Sequence, residues 1–331
     1  MDNIECNCVR LLYGFINVIY QRRNRLKLLA FDVGGTLIKY AVIGSGGCIE
    51  EQHSVANDFA GIDEYLECLK TIYSKYSGSV YGVCLSVPGI LDSKTGYVYS
   101  GGSLDYINEM NFTDMLKKML GGVPVSIEND GKCAAIAEMK NGVFQGVQNG
   151  VLVGLGTAIA GCLIIDGKIH KGSHYSSGEF SHIISRSEFV NPDLYGLVRW
   201  WRVNGVHTLY NKLEKAYGME SGSIDGFSFF DYVNRSDTVA LYILHQYCRE
   251  LAIEICNLQY IIDPDLFGIT GGISREAMLI SVLREEVDNV TKNYDPTVRI
   301  PSPHILQCKY YGEANLIGAY YHFLDTYSSE I

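Results

Sequence analysis

The feature that most constrains the fold of this chain is the segment 27–43, KLLAFDVGGTLIKYAVI, in which two adjacent glycines separate two apolar runs. The run at 28–33 is almost continuously apolar, which is typical of a buried strand. Between 38 and 42 apolar side chains recur at every second position, which predicts a second strand with one buried face. The sequence therefore predicts that residues 34–36 form a turn between two strands.

The place of these glycines disfavours two common nucleotide-binding motifs. The Walker A loop and the dinucleotide fingerprint set their glycines between a strand and a helix, so that a phosphate meets the helix N-terminus. An Asp-x-Gly-Gly-Thr loop between two strands instead resembles the phosphate loop of actin-like sugar kinases, in which backbone amides approach the terminal phosphates of a nucleotide and an Asp faces the metal. The alternative is an ordinary Gly-Gly hairpin turn.

Length, charge and cysteine content narrow the class of protein. The 331 residues are enough for two domains with separate cores. A net charge of -10 argues against nucleic acid as the main partner and is compatible with a small neutral substrate. The ten scattered cysteines, without a secretory signal, predict a reduced, cytoplasmic protein. The apolar stretch at 9–20 is too short to span a bilayer, so we expect no membrane partner and interpret residues 1–26 as an N-terminal extension, either an extra helix or an upstream start.

Polar residues follow two predicted strands in the first half of the chain. After a helix at 61–76, a strand at 80–86 stops at Pro88-Gly89, which is either a plain turn or part of a substrate loop. The polar, glycine-rich segment 100–111 is typical of a loop that lines a cleft.

Asn129 and Asp130 separate a predicted strand at 123–128 from a predicted small-residue helix at 131–140. Asn and Asp are favoured helix N-caps, which is one interpretation of the pair. The other is that the carboxylate accepts a hydroxyl proton at the mouth of a cleft while the Asn orients the substrate.

A second glycine-rich stretch, GLGTAIAG from Gly154, lies between predicted strands at 151–153 and 162–165 and is followed by an Asp-Gly hairpin turn. This arrangement repeats the opening element about one domain later. We therefore predict an internal duplication in which two phosphate loops face each other across a cleft.

The segment 172–182, GSHYSSGEFSH, places Glu179 and His182 three residues apart, so that a helical turn would put them on one face. A zinc site would need further Cys or His ligands, and no Cys lies between Cys162 and Cys248. Binding of sugar hydroxyls is therefore the preferred interpretation of the pair.

The remaining segments are predicted from their apolar periodicity. Helices are expected at 194–215, with Trp200 and Trp201 in the core, at 237–262, and at 313–327. A strand at 266–270 precedes Gly271-Gly272, which either approaches an adenine and ribose or forms a tight turn, and Ser274 is expected to cap a helix that runs to about residue 290.

Taken in this order, the motifs resemble those of the ROK family of sugar kinases and repressors over residues 27–323. The segments that carry the resemblance are DVGGTLIK from Asp32, SVPGILD from Ser86, ENDGKCAAIAE from Glu128, GTAIAGCLIIDGK from Gly156, GEFSH from Gly178, DPDLFGITGGIS from Asp263 and GEANLIGA from Gly312.

The resemblance implies an α/β protein with the actin-like, ribonuclease H-like ATPase fold, in which two lobes close a cleft on ATP, Mg2+ and a hexose. The small lobe would comprise residues 27–129, completed by a C-terminal helix at 313–331, and the large lobe residues 130–312. A homodimer is also expected.

The same resemblance implies roles for individual residues. Asp130 would be the general base on the sugar hydroxyl, and Asp32 would face the Mg2+ side. The sugar would be held by Asn129, Glu179, His182, Gly89 and Ser103; the nucleotide would be held by Gly34, Gly35, Thr36, Lys39, Gly156, Thr157, Gly271 and Gly272.

Departures from the family pattern set two further expectations. The Cys-rich zinc motif that follows GEFSH in the family is missing, so no zinc site is expected. Ala158 and Ala160 stand where glycines are usual, and because alanine rarely adopts positive φ, the sequence leaves open whether phosphate binding is weaker there. Glucose is the expected substrate, and β-glucoside kinase and N-acylmannosamine kinase are the alternatives within the enzyme class. A ROK transcriptional repressor would carry a helix-turn-helix module ahead of the DxGGT loop, which the 31 residues before Asp32 disfavour. A sugar-binding regulator without catalysis is the third alternative.

Overall fold

The computed structural model describes residues 26–191, 194–293 and 301–331, so the helix expected within residues 1–26 lies outside the described residues apart from Leu26. The chain forms two compact units. The first contains the described residues up to Ile136 together with Asn315–Ile331, and the second is Ala137–Ala314. The lobe boundaries expected from the sequence stay a prediction.

The first unit is built on a five-stranded sheet and also contains a small second sheet. The strands of the unit are β1 Leu28–Val33, β2 Leu37–Gly44, β3 Cys48–Ala56, β4 Gly82–Val87, β5 Ile90–Asp92, β6 Tyr97–Ser100, β7 Met110–Asn111 and β8 Val125–Asn129. The main sheet has the order β3-β2-β1-β4-β8, and β5, β6 and β7 form a separate small sheet. Strands β1, β2 and β3 pair antiparallel, whereas β1, β4 and β8 run parallel. The two strands and the turn predicted at 28–42 are confirmed.

Helices cover both faces of this sheet, which explains why β1 is apolar at nearly every position. They are α1 Ile62–Tyr76, α2 Phe112–Met119, α3 Asp130–Asn141 and the C-terminal helix Ala314–Thr326. Leu29 and Phe31 of β1 belong to the core cluster that includes residues of α1 and α2. Leu28 and Ala30 point to the other face and belong to the cluster that includes Cys133 of α3 and residues of the C-terminal helix.

The second unit repeats the same sheet pattern. Its strands are β9 Gly150–Leu155, β10 Ile159–Ile165, β11 Lys168–His170, β12 Ile184–Asn191, β13 Leu194–Arg199, β14 Leu266–Thr270 and β15 Ile305–Gln307. Three antiparallel strands are again followed by two parallel ones in the order β11-β10-β9-β14-β15, and β12 and β13 form a hairpin of their own. The predicted duplication is therefore confirmed at the level of topology.

The helices of the second unit pack around a large apolar core. They are α4 Trp200–Asn204, α5 His207–Tyr217, α6 Gly226–Asn234, α7 Thr238–Ile262 and α8 Ala277–Lys292. In the part of the chain that the structure describes, no helix has both the length and the apolar character needed to cross a membrane.

The prediction of one helix over 194–215 is wrong. Residues Leu194–Arg199 form β13, which pairs with β12, and only then do two helices follow, separated at Gly205. Cross-strand pairing overrides the local helical pattern, and Gly205 adopts an extended backbone that ends the short helix. The expected burial of Trp200 is confirmed, because its side chain is fully buried and its Nε1 donates to Asn204 Oδ1 at 3.0 Å.

The prediction that Ser274 caps the next helix is also wrong. Ser274 lies within a short 3-10 turn, Gly272–Arg275, and its hydroxyl donates to the carbonyl oxygen of Gly271 at 2.8 Å. The helix begins later, at Ala277, without a side-chain cap. Because its hydroxyl is hydrogen-bonded within this turn, Ser274 does not cap the helix.

Candidate active site

The first glycine loop is a tight hairpin end braced by an asparagine. The Gly34 N–H donates to the Leu37 carbonyl oxygen at 2.9 Å across the turn. Asn57, which follows β3, donates from its side chain to the Gly34 carbonyl oxygen at 2.6 Å and from its backbone to Thr36 O at 3.0 Å. Gly35 and Thr36 remain exposed at the tip. The loop is therefore held from the side while its tip stays accessible.

Asp32 lies two residues before this loop and is nearly buried, with 8% exposure. Its Oδ1 accepts a hydrogen bond from Asn315 Nδ2 at 2.9 Å and a longer one from the Ser86 hydroxyl at 3.4 Å. Its Oδ2 lies 3.5 Å from Lys39 Nζ. The carboxylate is thus held in one orientation at the end of its strand.

The parallel strands align the polar residues of three sequence motifs. Asp32 of β1 is in register with Ser86 of β4, and Ser86 is in register with Glu128 of β8. The segments that continue from the carboxyl ends of these strands therefore emerge at one edge of the sheet. This edge brings together the first glycine loop, Pro88-Gly89 and Asn129-Asp130, which is where ligands bind in many α/β sheets.

Asn129 is the N-cap of α3, as one interpretation of the sequence predicts. Its Oδ1 accepts from the Lys132 N–H at 3.1 Å, and its Nδ2 donates to the Gly89 carbonyl oxygen at 2.9 Å. The side chain is only 3% exposed. Asn129 therefore ties the start of α3 to the loop after β4, and its predicted contact with a sugar stays a prediction.

Asp130 is the first residue of α3 and is half-buried. Its Oδ1 accepts from the Gly131 N–H at 2.7 Å. A carboxylate at a helix N-terminus is stabilised by the helix dipole and by the amide groups that have no partner within the helix. This position leaves the carboxylate at the edge where the first glycine loop lies.

The loop after β4 packs closely on the loop at 100–108. Gly89 has a φ of +98°, and a Cβ there would lie 2.0 Å from the Ser100 carbonyl oxygen, so glycine is required at this position. Ser103 lies beside the first glycine loop, because a Cβ on Gly35 would be 3.0 Å from its hydroxyl oxygen. Gly35, Gly89 and Ser103 therefore lie in one neighbourhood.

A buried polar group lies behind this edge. Glu128 is 1% exposed; one of its oxygens accepts from the Asn129 N–H at 3.0 Å, and the other is 3.8 Å from His322 Nδ1. Burial, and then the Glu128 charge, raises the pKa of the Cys133 thiol well above its usual range. Cys133 is therefore a neutral packing residue under the site.

The second glycine loop is also closed by a glycine N–H, but over a shorter span than the first. The Gly156 N–H donates to the Ala158 carbonyl oxygen at 3.1 Å, and the Val206 N–H donates to the Gly156 carbonyl oxygen at 2.9 Å. Neither Ala158 nor Ala160 adopts a positive φ. The conformational reason for expecting weaker phosphate binding at this loop is therefore wrong, because alanine fits the backbone found there.

Gly271 lies directly against the second glycine loop. Strands β9 and β14 are parallel, with Thr270 in register with Gly154, so the segments after both strands emerge at one edge. Gly271 has a φ of +101°, and a Cβ there would lie 2.2 Å from the Leu155 carbonyl oxygen. The structure therefore brings Gly156, Thr157, Gly271 and Gly272 together in the second unit.

Glu179 and His182 are presented by a short 3-10 turn, Phe180–His182. The Ser181 hydroxyl bonds to both backbone groups of Ile159, at 3.0 Å to N and 2.9 Å to O. Phe180 packs under the turn against Trp200, with ring centroids 5.5 Å apart. The turn is thus fixed to the strand that leaves the second glycine loop.

His182 has a neighbour that the sequence did not indicate. Arg199, at the end of β13, places Nη1 3.5 Å from His182 Nδ1. A guanidinium group only donates hydrogen bonds, so this contact requires the tautomer in which Nδ1 accepts and Nε2 carries the hydrogen. His182 would then present an N–H donor to a ligand oxygen.

Sequence reasoning missed Asn57, Asn315 and Arg199 as residues of these neighbourhoods. Asn315 lies inside the GEANLIGA motif that carried the resemblance, so its contact with Asp32 had a signal in the sequence. Asn57 follows strand β3 and Arg199 ends strand β13, and no local pattern marks either residue as part of a site.

The residues present fit a Mg2+ ion better than a transition metal. Within residues 26–191, 194–293 and 301–331, no group of three or more His, Cys, Asp or Glu side chains is arranged to hold a metal. Mg2+ does not need such a group, because it is bound through one or two carboxylates, water and the phosphates of its nucleotide. Asp32 supplies a carboxylate beside the first glycine loop, which is the donor such an ion requires.

Comparison with known proteins adds three findings. The model of the ROK family matches residues 28–193 and 210–326. A β-glucoside kinase from Listeria monocytogenes is 28% identical over 300 residues, covering 90% of this chain and 98% of that protein. A glucokinase from Halalkalibacterium halodurans is 25% identical over 265 residues, covering 74% of this chain and 79% of that protein.

The fold is also found in solved structures. A ROK family glucokinase from Streptomyces griseus, crystallised with glucose and AMPPNP, superposes with a TM-score of 0.74 at 24% identity, covering 88% of this chain and 97% of that chain. This likeness shows that the fold is the actin-like ATPase fold with two lobes.

Proposed function

This chain belongs to the ROK family, and we propose that it is an ATP-dependent sugar kinase whose acceptor is a hydroxyl of glucose or of a closely related hexose. The observation that carries the proposal is the position of Asp130. Its half-buried carboxylate lies at the same edge of the sheet as the Gly34–Thr36 turn, in a unit that begins with the Asp-x-Gly-Gly-Thr motif. A proton acceptor and a phosphate loop at one edge are the two parts that phosphoryl transfer to an alcohol needs.

In this proposal Asp130 acts as the general base. Its carboxylate accepts the proton of the sugar hydroxyl as the hydroxyl oxygen attacks the terminal phosphorus of ATP. The bond between that phosphorus and the oxygen that bridges it to the β-phosphate breaks, and ADP leaves with the bridging oxygen. Proton transfer by a positioned group contributes roughly 10²- to 10⁴-fold. The remaining acceleration comes from alignment of the two substrates and from neutralisation of phosphate charge.

The other predicted residues are assigned by neighbourhood. We assign sugar contacts to Asn129, Gly89 and Ser103 in the first unit and to Glu179 and His182 in the second. Asn129 and Gly89 are joined by a hydrogen bond, so they would shape the sugar site together. The turn that carries Glu179 and His182 is fixed by Ser181, which supports a role in orientation.

For the nucleotide, we assign phosphate contacts to Gly34, Gly35, Thr36 and Lys39 and to Gly156 and Thr157, and adenosine contacts to Gly271 and Gly272. Mg2+, when bound, neutralises phosphate charge, and Asp32 is the residue that would hold it. Lys39 lies 3.5 Å from that carboxylate and would add a second positive charge near the phosphates. A homodimeric state, a cytoplasmic location and the absence of zinc stay predictions.

Two other sugars and one other class of function remain as alternatives. The match to a β-glucoside kinase favours a β-glucoside acceptor, and an N-acylmannosamine acceptor would need the same base with different loop contacts. A regulator that binds sugar without turnover would bind the same ligands and release no ADP.

Substitution of Asp130 by Asn tests the proposed base. The variant keeps the size of the side chain and one acceptor oxygen but cannot accept the proton, so we expect sugar-dependent ADP release to fall by at least about 10²-fold with little change in sugar affinity. Asp63→Asn, at an exposed position in the first turn of α1, is the matched control and should keep native turnover. Near-native turnover in Asp130→Asn would remove Asp130 from this role.

A coupled ADP-release screen identifies the acceptor. Glucose, cellobiose, N-acetylmannosamine and N-acetylglucosamine should be compared at matched concentrations, with the Asp130→Asn protein as the blank. The highest kcat/KM is expected for glucose, and a preference for cellobiose would assign the chain to the β-glucoside alternative. Sugar binding without ADP release for every sugar would favour the regulator.

A further inference from the structure

Asn57 connects two loops of the first unit that sequence analysis treated separately. Its side-chain Nδ2 donates to the Gly34 carbonyl oxygen at 2.6 Å, and its Oδ1 accepts from the Tyr106 hydroxyl at 2.9 Å. Gly34 belongs to the first glycine loop, and Tyr106 lies in the loop at 100–108 that also carries Ser103. A continuous hydrogen-bonded path therefore runs from one loop to the other.

The direction of each bond in this path is fixed by chemistry. The Gly34 carbonyl oxygen can only accept, so the amide nitrogen of Asn57 must face it, and the amide oxygen must then face Tyr106. Tyr106 consequently donates its hydroxyl hydrogen. Burial raises the pKa of Tyr106, so this hydrogen is retained at neutral and mildly alkaline pH.

Both ends of the path are anchored. The Asn57 N–H donates to Thr36 O at 3.0 Å, so the residue holds the glycine loop at two carbonyl groups. The ring of Tyr106 packs 5.3 Å from that of the fully buried Tyr65, and the neighbouring Ile107 is also fully buried. A displacement of Tyr106 would therefore be passed to the glycine loop through Asn57, which is bonded to both.

We infer that Asn57 is a positioning residue that couples occupation of the sugar site to the geometry of the first phosphate loop. The inference rests on the proposed function and deepens it by naming how one substrate affects the binding of the other. A sugar that contacts the 100–108 loop, where Ser103 is assigned to it, favours one position of Tyr106, and that position favours one orientation of the Gly34 peptide. By thermodynamic linkage the nucleotide then favours sugar binding by the same factor.

The test measures this factor directly. AMPPNP affinity is determined with and without saturating glucose, or cellobiose if the ADP-release screen selects it, in the native protein and in Tyr106→Phe and Asn57→Asp. The first variant removes one hydroxyl and keeps the ring contact with Tyr65. The second keeps the size of Asn57 but places an acceptor against the Gly34 carbonyl oxygen, which repels it. Tyr97→Phe, on β6, is the matched control.

In the native protein we expect the sugar to tighten AMPPNP binding by about 5-fold or more, the usual lower range of coupling between sites. Tyr106→Phe should reduce this factor to less than about 2. Asn57→Asp should reduce it to the same extent and should also weaken AMPPNP binding in the absence of sugar. The double variant should lose no more coupling than either single variant, because all three report one path. Tyr97→Phe should keep the native factor.

Two results would overturn different conclusions. The first concerns a native protein that releases ADP in a sugar-dependent way. If sugar then has no effect on its AMPPNP binding, or if that effect is unchanged in a folded Tyr106→Phe protein, the role of Asn57 is overturned and the kinase assignment stays intact. Absence of ADP release with every sugar would overturn the proposed function itself.

Discussion

The two glycine loops share one backbone design but are held by different means. Each joins the first two strands of its sheet and is closed by a glycine N–H that donates across the turn, from Gly34 to Leu37 O at 2.9 Å and from Gly156 to Ala158 O at 3.1 Å. The first loop is braced by a side chain, Asn57. The second is braced by backbone, because the Val206 N–H donates to Gly156 O.

This difference shows what a duplication preserves. Strand order is repeated in both units, whereas the two turns are closed over different spans. The groups outside each loop are not repeated, so each loop should respond to changes that leave the other unaffected.

Alkaline pH should destabilise both units, and this is the largest expected effect. Burial raises the pKa of Cys84 and Cys133 in the first unit and of Cys248 and Cys308 in the second. Folded thiols keep their protons, whereas unfolded thiols lose them above about pH 8.5, so the stabilisation is fully present below that pH and is lost as pH rises. Each thiol should lower the free energy of unfolding by at most about 1.4 kcal/mol for each pH unit above that value.

Urea midpoints measured between pH 7 and pH 10 check this prediction. The Cys84→Ala and Cys248→Ala proteins should each show a shallower decline than the native chain, and the pair provides one probe for each unit. An unchanged midpoint up to pH 10 would contradict it.

Gly205→Ala should act on the second loop alone. A Cβ at this position would lie 2.6 Å from the carbonyl oxygens of both Thr157 and Trp201, and neither backbone group can move aside easily. Overpacking of this kind costs about 1–3 kcal/mol of unfolding free energy, and because relieving it displaces the Thr157 carbonyl group, we also expect KM for ATP to rise. Gly78→Ala, where the added carbon meets no atom within 4 Å, is the control. A native KM for ATP in a folded Gly205→Ala protein would show that the second loop does not contact the nucleotide.

Ser181→Ala should loosen the turn that presents Glu179 and His182. The hydroxyl satisfies the N–H and the carbonyl group of Ile159, so its loss leaves both without this partner and should cost about 1–3 kcal/mol of unfolding free energy. KM for the sugar should rise while the coupling factor between sugar and AMPPNP stays native. Ser223→Ala, whose exposed hydroxyl bonds only to Glu220 O, should change neither quantity.

Arg199→Met should have the smallest effect. The contact with His182 is exposed and long, and such contacts contribute less than about 1 kcal/mol. KM for the sugar should rise by a few-fold at most, and KM for ATP should not change. Arg202→Met, in which the replaced guanidinium packs 5.3 Å from the Trp201 ring, is the control. An equal rise in both KM values would place Arg199 near the nucleotide instead.

The elements that sequence analysis predicted well are those whose pattern is local. The strands around Gly34 and the long helix Thr238–Ile262 have clear periodicity, and Asn129 caps its helix within three residues. The strand Leu194–Arg199 was missed because its pairing with Ile184–Asn191 depends on a partner strand and not on its own composition.

The contacts of the candidate site were harder to predict for the same reason. Asn57 reaches Tyr106 across 49 positions of the chain, and Arg199 reaches His182 only because a hairpin returns it there. Motifs marked the residues that the resemblance assigns to substrates. The residues that hold them in place follow from tertiary structure, which one sequence does not reveal.

The register of Asp32, Ser86 and Glu128 across three neighbouring strands has a consequence for engineering. A slip of one residue in any of these strands would turn its side chains to the opposite face, so the spacing between Asp32 and the segment that follows Glu128 depends on the register of buried strands and not on surface segments. Transplanting residues 100–108 from an enzyme with another acceptor, with Tyr106 retained, should therefore alter sugar choice while Asp130 keeps its place relative to the first glycine loop.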